Sequence, residues 1–153
     1  MHSPGTPQLL LVGLEPFGSE LARQAALLGW STLTTTDLDD SLAALEPLGT
    51  DDAIIVPEHQ HRIATPVLAA ALQADVGFVG AIGSRRMREA RVRFLREAGV
   101  TDDELVALHC PTGLDLGART PAESAVSIVA EVIATRSGRD AQPLRTNSNQ
   151  ISA

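Results

Sequence analysis

Residues 9–28 read LLLVGLEPFGSELARQAALL: an apolar run, a turn with two glycines, and a stretch with helical spacing. The run at 9–13 predicts a buried strand, and Leu21, Ala25 and Leu28 recur on one face of the helix that follows. Further apolar runs stand at 32–36, 53–56 and 76–82, separated by more helical patterns. This alternation is typical of a parallel sheet covered by helices on both faces. We therefore expect one doubly wound α/β domain.

Capping signals predict where the later helices begin and end. Thr65 and Pro66 are expected to open the helix before the fourth strand, because threonine caps and proline fits the first helical position. Capping boxes are expected at 101–104 and 120–123, with long helices at 84–98 and 121–136. The predicted inner-face residues are Met87, Ala90, Phe94, Leu95 and Ala98 in the first long helix, and Ala125, Val126, Val129, Val132 and Ile133 in the second.

Composition excludes several classes of function. The net charge of -7 and the sequence pI near 4.9 disfavour a nucleic-acid or anionic-membrane partner. All 12 basic residues are arginine, so neither a P-loop lysine nor a Schiff-base lysine exists in this chain. The single cysteine, Cys110, excludes an internal disulfide and a multi-cysteine metal site, and we interpret it as a small buried or half-buried residue.

The ends of the chain differ from its middle in composition. We expect a flexible N-terminal tail at 1–8, a Rossmann-like domain at 9–138 and a polar C-terminal tail at 139–153. The sequence shows neither a signal-peptide pattern nor an apolar run of membrane-spanning length. A cytoplasmic location is therefore expected.

The first candidate site is the loop Gly13-Leu14-Glu15-Pro16-Phe17-Gly18. A dinucleotide fingerprint G-x-G-x-x-G brings its second glycine close to the pyrophosphate, and here that position is Glu15. The carboxylate would repel a pyrophosphate, and Pro16 removes a backbone donor. Gly13 and Gly18 then serve either a nucleotide or only packing. Asp37 follows the second strand, where a ribose-binding acid is expected, but it could equally be a solvated turn residue.

The second candidate site is the stretch Gly80-Ala81-Ile82-Gly83-Ser84-Arg85-Arg86, between the fourth strand and a long helix. Free amides, the helix dipole and two guanidiniums would meet there, which predicts an anion or phosphate site. The alternative is that the arginines only form a basic solvent face. For the arginines beyond Arg86, including Arg91, we prefer that alternative.

Histidines mark two further loops. His59 and His61 follow the third strand at the carboxyl edge of the sheet. There they could contact a ligand or be surface residues without a role in binding. Residues 109–117 read HCPTGLDLG, and this density of His, Pro, Gly and Asp predicts a defined backbone path. On the next helix, Ser124, Ser127 and Glu131 form a polar stripe that faces either a site or water.

The segments 80–86 and 109–131 together resemble the C-terminal Rossmann domain of the XdhC/CoxI family. That family shows a Gly-Ser-Arg-Arg element, a His-x-Pro-x-Gly-Leu-Asp-x-Gly loop and a Pro-x-Glu helix. The matching positions are Gly83, Ser84, Arg85, Arg86, His109, Pro111, Gly113, Leu114, Asp115, Gly117, Pro121, Glu123, Ser127 and Glu131. The first half departs from the family. In the opening loop, Glu15 replaces a glycine and Pro16 replaces a histidine. Further on, Glu58 and Gln60 replace the Thr and Asp of a Thr-His-Asp-His element, and Ala64 replaces an acid. We also expect this chain to lack the separate N-terminal domain of full-length members.

The resemblance implies a non-catalytic accessory protein that binds molybdenum cofactor, as molybdopterin or molybdopterin cytosine dinucleotide. It implies help with sulfuration of the cofactor or its insertion into a xanthine dehydrogenase or carbon monoxide dehydrogenase apoenzyme, with a cysteine desulfurase or a second copy as further partners. The expected cofactor-binding residues are Gly13, Gly18, Asp37, His59, His61, Gly80, Gly83, Ser84, Arg85, Arg86, His109, Gly113 and Asp115. We expect no catalytic or metal-ligating residue. The alternatives are an NAD(P)-binding oxidoreductase-like domain and a structural partner of such an enzyme.

Overall fold

The computed structural model describes residues 5–13, 15–57 and 59–146. Five strands form one sheet: β1 (Gln8–Val12), β2 (Ser31–Thr35), β3 (Ala53–Val56), β4 (Phe78–Ala81) and β5 (Leu108–His109). The helices are α1 (Phe17–Leu27), α2 (Leu38–Leu45), α3 (His61–Gln73), α4 (Arg85–Glu97), α5 (Asp102–Leu105) and α6 (Pro121–Ser137). Among the described residues, no helix is long and apolar enough to cross a bilayer.

The sheet is entirely parallel, with the strand order β2-β1-β3-β4-β5. Successive residues of a strand point to opposite faces, and β1 shows this directly. Leu9 and Leu11 pack with residues of α1 and α6, whereas Leu10 and Val12 pack with residues of α2, α3, α4 and α5. Two apolar clusters therefore enclose the sheet, which confirms the predicted Rossmann-like, doubly wound fold.

The predicted start of α3 was wrong. This helix begins at His61 after Gln60, and Pro66 lies inside it. A proline there lacks the N–H that would donate to the carbonyl four residues earlier, so the helix loses one internal hydrogen bond. The buried residues Ala64, Val67, Leu68 and Ala71 anchor the helix on both sides of the proline.

The faces of α4 and α6 also differ from the prediction. Arg91 is only 2% exposed, so it does not belong to a basic solvent face. On α6, Val126 and Ile133 are each 45% exposed, while Ser127 and Ile128 take buried positions. The inward face of α6 is therefore rotated toward the polar stripe seen in the sequence.

The predicted capping sites were largely confirmed. At α5, Thr101 and Glu104 form the reciprocal capping box. At α6, the Thr120 hydroxyl accepts a hydrogen bond from the Glu123 N–H, but the Glu123 carboxylate accepts from the N–H of Arg119 instead of from Thr120. The expected tails at 1–8 and 139–153 lie partly outside the described residues; within them, Gln8 already belongs to β1 and Leu144–Thr146 form a 3₁₀ turn.

Candidate functional site

The carboxyl ends of the parallel strands define one edge of the sheet, where four loops meet. The chain runs from β1 outward to β2 and then returns past β1 to β3, so the winding direction reverses between β1 and β3. Open α/β sheets bind ligands outside the carboxyl ends of their strands, near such a reversal. The loops after β1, β3, β4 and β5 carry almost all of the residues that the sequence singled out.

The β1–α1 loop forms a shallow groove of about 220 Å³, lined by Gly13, Glu15, Gly18, Ser19, Ala22, Thr34 and Thr36. The Glu15 carboxylate accepts a hydrogen bond from the Ser19 hydroxyl. Pro16 occupies the N-cap of α1 without a side-chain cap. The groove therefore has an acidic wall where a dinucleotide would place its pyrophosphate. Binding of a nucleotide by Gly13 and Gly18 stays a prediction.

Asp37 caps α2 and does not line this groove. Its carboxylate accepts a hydrogen bond of 2.9 Å from the Asp40 N–H, and this bond lowers the pKa of Asp37. Capping of α2 is sufficient to explain why an aspartate occupies this position, even if no ribose binds there. The role of Asp37 in ribose binding stays a prediction.

The β4–α4 turn presents two exposed guanidiniums at the start of a helix. The Ser84 hydroxyl accepts from the Met87 N–H at 3.2 Å, and the Ser84 carbonyl accepts from the Arg88 N–H at 3.0 Å. These bonds leave the Arg85 and Arg86 N–H groups of the first turn without an intrahelical partner. Both side chains are exposed and bond to none of the described residues. Two open amides and two guanidiniums fit a phosphate or pyrophosphate.

The two glycines of this segment have packing roles. A Cβ added to Gly80 would lie 2.6 Å from the Thr112 hydroxyl oxygen, so the glycine lets the loop after β5 approach β4. A Cβ added to Gly83 would lie 3.2 Å from Cβ and Sδ of Met87, which covers the turn. Direct contact of Gly80 or Gly83 with a ligand stays a prediction.

Arg91 lies beneath the same turn and was missed as a site residue. Its Nη2 donates to the carbonyl oxygen of Ile82 at 3.2 Å, directly before the turn. Cys110 lies close enough for Arg91 to affect its thiol: burial raises the pKa of Cys110, and the charges of Arg91 and Arg88 oppose that rise. Cys110 is buried, as predicted for a small buried or half-buried residue. Helical spacing did carry a signal, because Arg91 lies four residues from both Met87 and Leu95 on the predicted inner face, but its charge favoured a solvent position.

The two histidines after β3 lie in different surroundings. His59 is exposed, whereas His61 begins α3 and places its ring 4.2 Å from the Phe94 ring. The Nδ1 atom of His61 is buried and has no hydrogen-bond partner among the described residues. No cluster of three metal-binding side chains occurs in the part of the chain that the structure describes. Cofactor binding by His59 and His61 stays a prediction.

The loop after β5 is fixed by Glu131 of α6. The Oε1 atom of this carboxylate accepts from the Gly113 N–H at 3.0 Å and from the Thr112 hydroxyl at 3.3 Å, and it lies 3.4 Å from Nδ1 of His109. The loop is also joined to β4 by the Thr112 N–H and to α6 by the Leu114 N–H. The predicted defined backbone path is therefore present, and Ser127 and Glu131 of the polar stripe face it. Asp115 stands exposed beyond the fixed part of the loop.

Glu131 should make stability depend on acid pH. Burial would raise the pKa of this carboxyl, but the hydrogen bonds from His109, Gly113 and Thr112 lower it below its ordinary value of 4.5. Because the folded pKa is the lower one, the contribution is complete above pH 4.5 and disappears as the pH falls through the folded pKa. We expect Glu131→Gln to lose less unfolding free energy than wild type between pH 5 and about pH 3. Urea unfolding of both proteins across this range measures the difference, and parallel pH profiles would contradict it.

Similarity to known proteins agrees with this arrangement. The XdhC Rossmann domain family matches residues 9–132. The chain is 30% identical to the uncharacterized protein YqeB of Escherichia coli K12, covering 83% of this chain and 27% of YqeB. It is 32% identical to the molybdenum cofactor insertion chaperone PaoD of the same organism, covering 82% of this chain and 40% of PaoD.

A crystal structure of a xanthine dehydrogenase from Bacillus halodurans shares the fold, with a TM-score of 0.70 and 22% identity. The match covers 91% of this chain and 45% of that protein. The chain therefore spans less than half the length of each of these three proteins.

The parallel sheet and the loops at its carboxyl edge define a Rossmann-like α/β domain. Within that class, the chain belongs to the XdhC Rossmann domain family.

Proposed function

We propose that this protein is an accessory factor that binds molybdenum cofactor through its phosphate groups and passes it to a molybdenum hydroxylase apoenzyme. The observation that carries the proposal is the β4–α4 turn, where two exposed guanidiniums flank two open backbone amides. A relative of similar sequence, PaoD, is named as a molybdenum cofactor insertion chaperone.

In this proposal, Arg85 and Arg86 hold the phosphate oxygens, and the dipole of α4 adds positive potential at the same point. Arg91 holds the turn from below through the Ile82 carbonyl. The ordered loop 109–115, with His109, Gly113 and Asp115, borders the turn because the Thr112 N–H donates to the Ala81 carbonyl. When bound, the cofactor supplies the molybdenum centre that the client enzyme uses for oxidation chemistry.

The arginine side chains that would bind the ligand are exposed to solvent, which suits a protein that carries and releases a cofactor. Exposed charge-assisted contacts are screened by salt and exchange easily, in contrast to buried ones. A protein that must release its cargo to an apoenzyme needs such a moderate affinity. Sulfuration with a cysteine desulfurase, delivery to a xanthine dehydrogenase or carbon monoxide dehydrogenase type of client, and formation of a homodimer are parts of the same proposal.

Glu15 argues against the oxidoreductase alternative. Its carboxylate lines the groove in which an NAD(P) pyrophosphate would lie. We therefore expect the protein to bind molybdopterin or molybdopterin cytosine dinucleotide at least about tenfold more tightly than NADH, a preference of roughly 1.4 kcal/mol.

Isothermal titration of the full chain with these three compounds at low and high salt tests the proposal. Binding of a molybdopterin form that weakens as salt rises is the expected result. Tight binding of NADH alone would favour the oxidoreductase. Binding of none of them, together with stable co-purification with an apoenzyme, would favour the structural partner.

A further inference from the structure

His109 and Glu131 form a carboxylate–histidine pair at the carboxyl edge of the sheet. The imidazole stacks on the buried ring of Phe78, with 4.2 Å between the ring centroids and 20° between the ring planes. Nδ1 lies 3.4 Å from Oε1 of Glu131, whose side chain is only 19% exposed. Stacking and the carboxylate together fix both the plane and the direction of the imidazole.

The position of the carboxylate determines where the neutral imidazole carries its proton. An ionised carboxylate only accepts, so Nδ1 must donate and Nε2 keeps its lone pair. The His109 side chain is 28% exposed, and Nε2 bonds to none of the described residues. The pair therefore presents an acceptor nitrogen that bonds to no described residue, in one defined tautomer.

Among the described residues, His109 is the ionisable side chain that pairs with this carboxylate. Its remaining donors are the neutral Thr112 hydroxyl and the Gly113 N–H. Its negative charge therefore remains available to offset a positive charge that develops on His109. A carboxylate behind a histidine is typical of imidazoles that accept protons or ligate metals. A metal site is not supported, because no cluster of three metal-binding side chains occurs among the described residues.

We propose that Nε2 of His109 is the proton-accepting group of the cofactor site and that Glu131 is its positioning residue. The ligand group it meets is a thiol or hydroxyl: the proton moves to Nε2, the sulfur or oxygen keeps the electron pair, and Glu131 offsets the charge of the imidazolium. The identity of this donor as part of a pterin cofactor rests on the proposed function. The tautomer and the acceptor nitrogen do not.

The first test uses the free protein. Nitrogen-15 NMR of histidine-labelled protein at pH 8 is expected to show His109 protonated at Nδ1. Acylation by diethyl pyrocarbonate, followed by peptide mass spectrometry, reports His109 and the exposed His59 in the same sample. In Glu131→Gln the amide oxygen can still accept from Nδ1, so the tautomer should stay, but the His109-to-His59 rate ratio should fall by about threefold or more. Protonation at Nε2, or an unchanged rate ratio, would overturn the proposal.

The second test adds molybdopterin. Bound ligand is expected to slow acylation of His109 about fivefold or more in wild type, but not in an Arg85→Glu/Arg86→Glu variant that has lost its phosphate contacts. If molybdopterin binds and His109 reacts at the unliganded rate, the inference fails while the carrier function stands. If molybdopterin does not bind at all, the carrier function fails, and the free-protein test still decides on the His109–Glu131 pair.

Discussion

Replacing Gly113 with alanine is expected to lower the free energy of unfolding by about 2–4 kcal/mol. Gly113 has a φ of +110°, a conformation that L side chains rarely adopt, and an added Cβ would lie 2.6 Å from the Ser127 hydroxyl oxygen. That hydroxyl donates to the Ser124 carbonyl at 2.8 Å, so it cannot move without losing a hydrogen bond. The shift would also pull the Gly113 N–H away from Glu131. Urea unfolding measures the loss.

Gly117 in the same loop is the matched control. It has a φ of +68°, but no atom lies within 4 Å of its added Cβ. Gly117→Ala should therefore cost only about 1–2 kcal/mol, the strain of a left-handed alanine. Adding Ser127→Ala to Gly113→Ala removes the close contact and should restore part of the stability. Equal losses for both glycines, with no restoration, would show that the loop is not packed against α6 as the structure places it.

The sequence predicts the sheet and the long helices well because their apolar patterns are strong. The first four strands and helices α1, α4 and α6 lie within a few residues of their expected positions. The pattern missed β5, since two residues carry no periodicity, and it missed α2, whose eight residues start at the Asp37 cap. The predicted start of α3 was wrong because proline is common at the first position of a helix. In this protein, burial of apolar residues on both sides of Pro66 stabilises a helix that begins earlier.

The site shows a different limit. The sequence singled out the turn at Gly83–Arg86 and the loop at 109–117, but not the residues that hold them from behind. Arg91 lies at helical spacing from Met87 and Leu95 of the predicted inner face, but its charge favoured a solvent position, and the tertiary structure shows that it is buried. Glu131 did leave a signal, the polar stripe on an apolar helix, and the three-dimensional structure was needed to show that Glu131 faces His109. The sequence therefore singled out the loops of the candidate site more readily than the side chains that support them.

Reversing the charges of Arg85 and Arg86 together is expected to weaken molybdopterin binding by about 100-fold or more. Each charge-assisted hydrogen bond to a phosphate contributes roughly 1.5–3 kcal/mol, and the substituted glutamates add repulsion at the same point. Solvent exposure reduces these values, so the lower end of that range applies. The single variants should each lose about tenfold, and the salt dependence of binding should become flatter because fewer phosphate contacts remain to be screened.

Arg136→Glu/Arg139→Glu provides the matched control, since it changes the net charge of the chain by the same amount at the C-terminal end of α6. That end lies at the amino edge of the sheet, where Arg136 Nη2 donates to the carbonyl oxygen of Gly5. If binding depended on overall charge, both double variants would weaken it equally, because net charge acts on the whole molecule. A site built from the first turn of α4 predicts a large loss for the first pair and less than about a threefold loss for the second. Equal losses would mean that binding depends on the overall charge of the protein and not on this turn. The phosphate-binding residues would then belong to another loop at the same edge of the sheet.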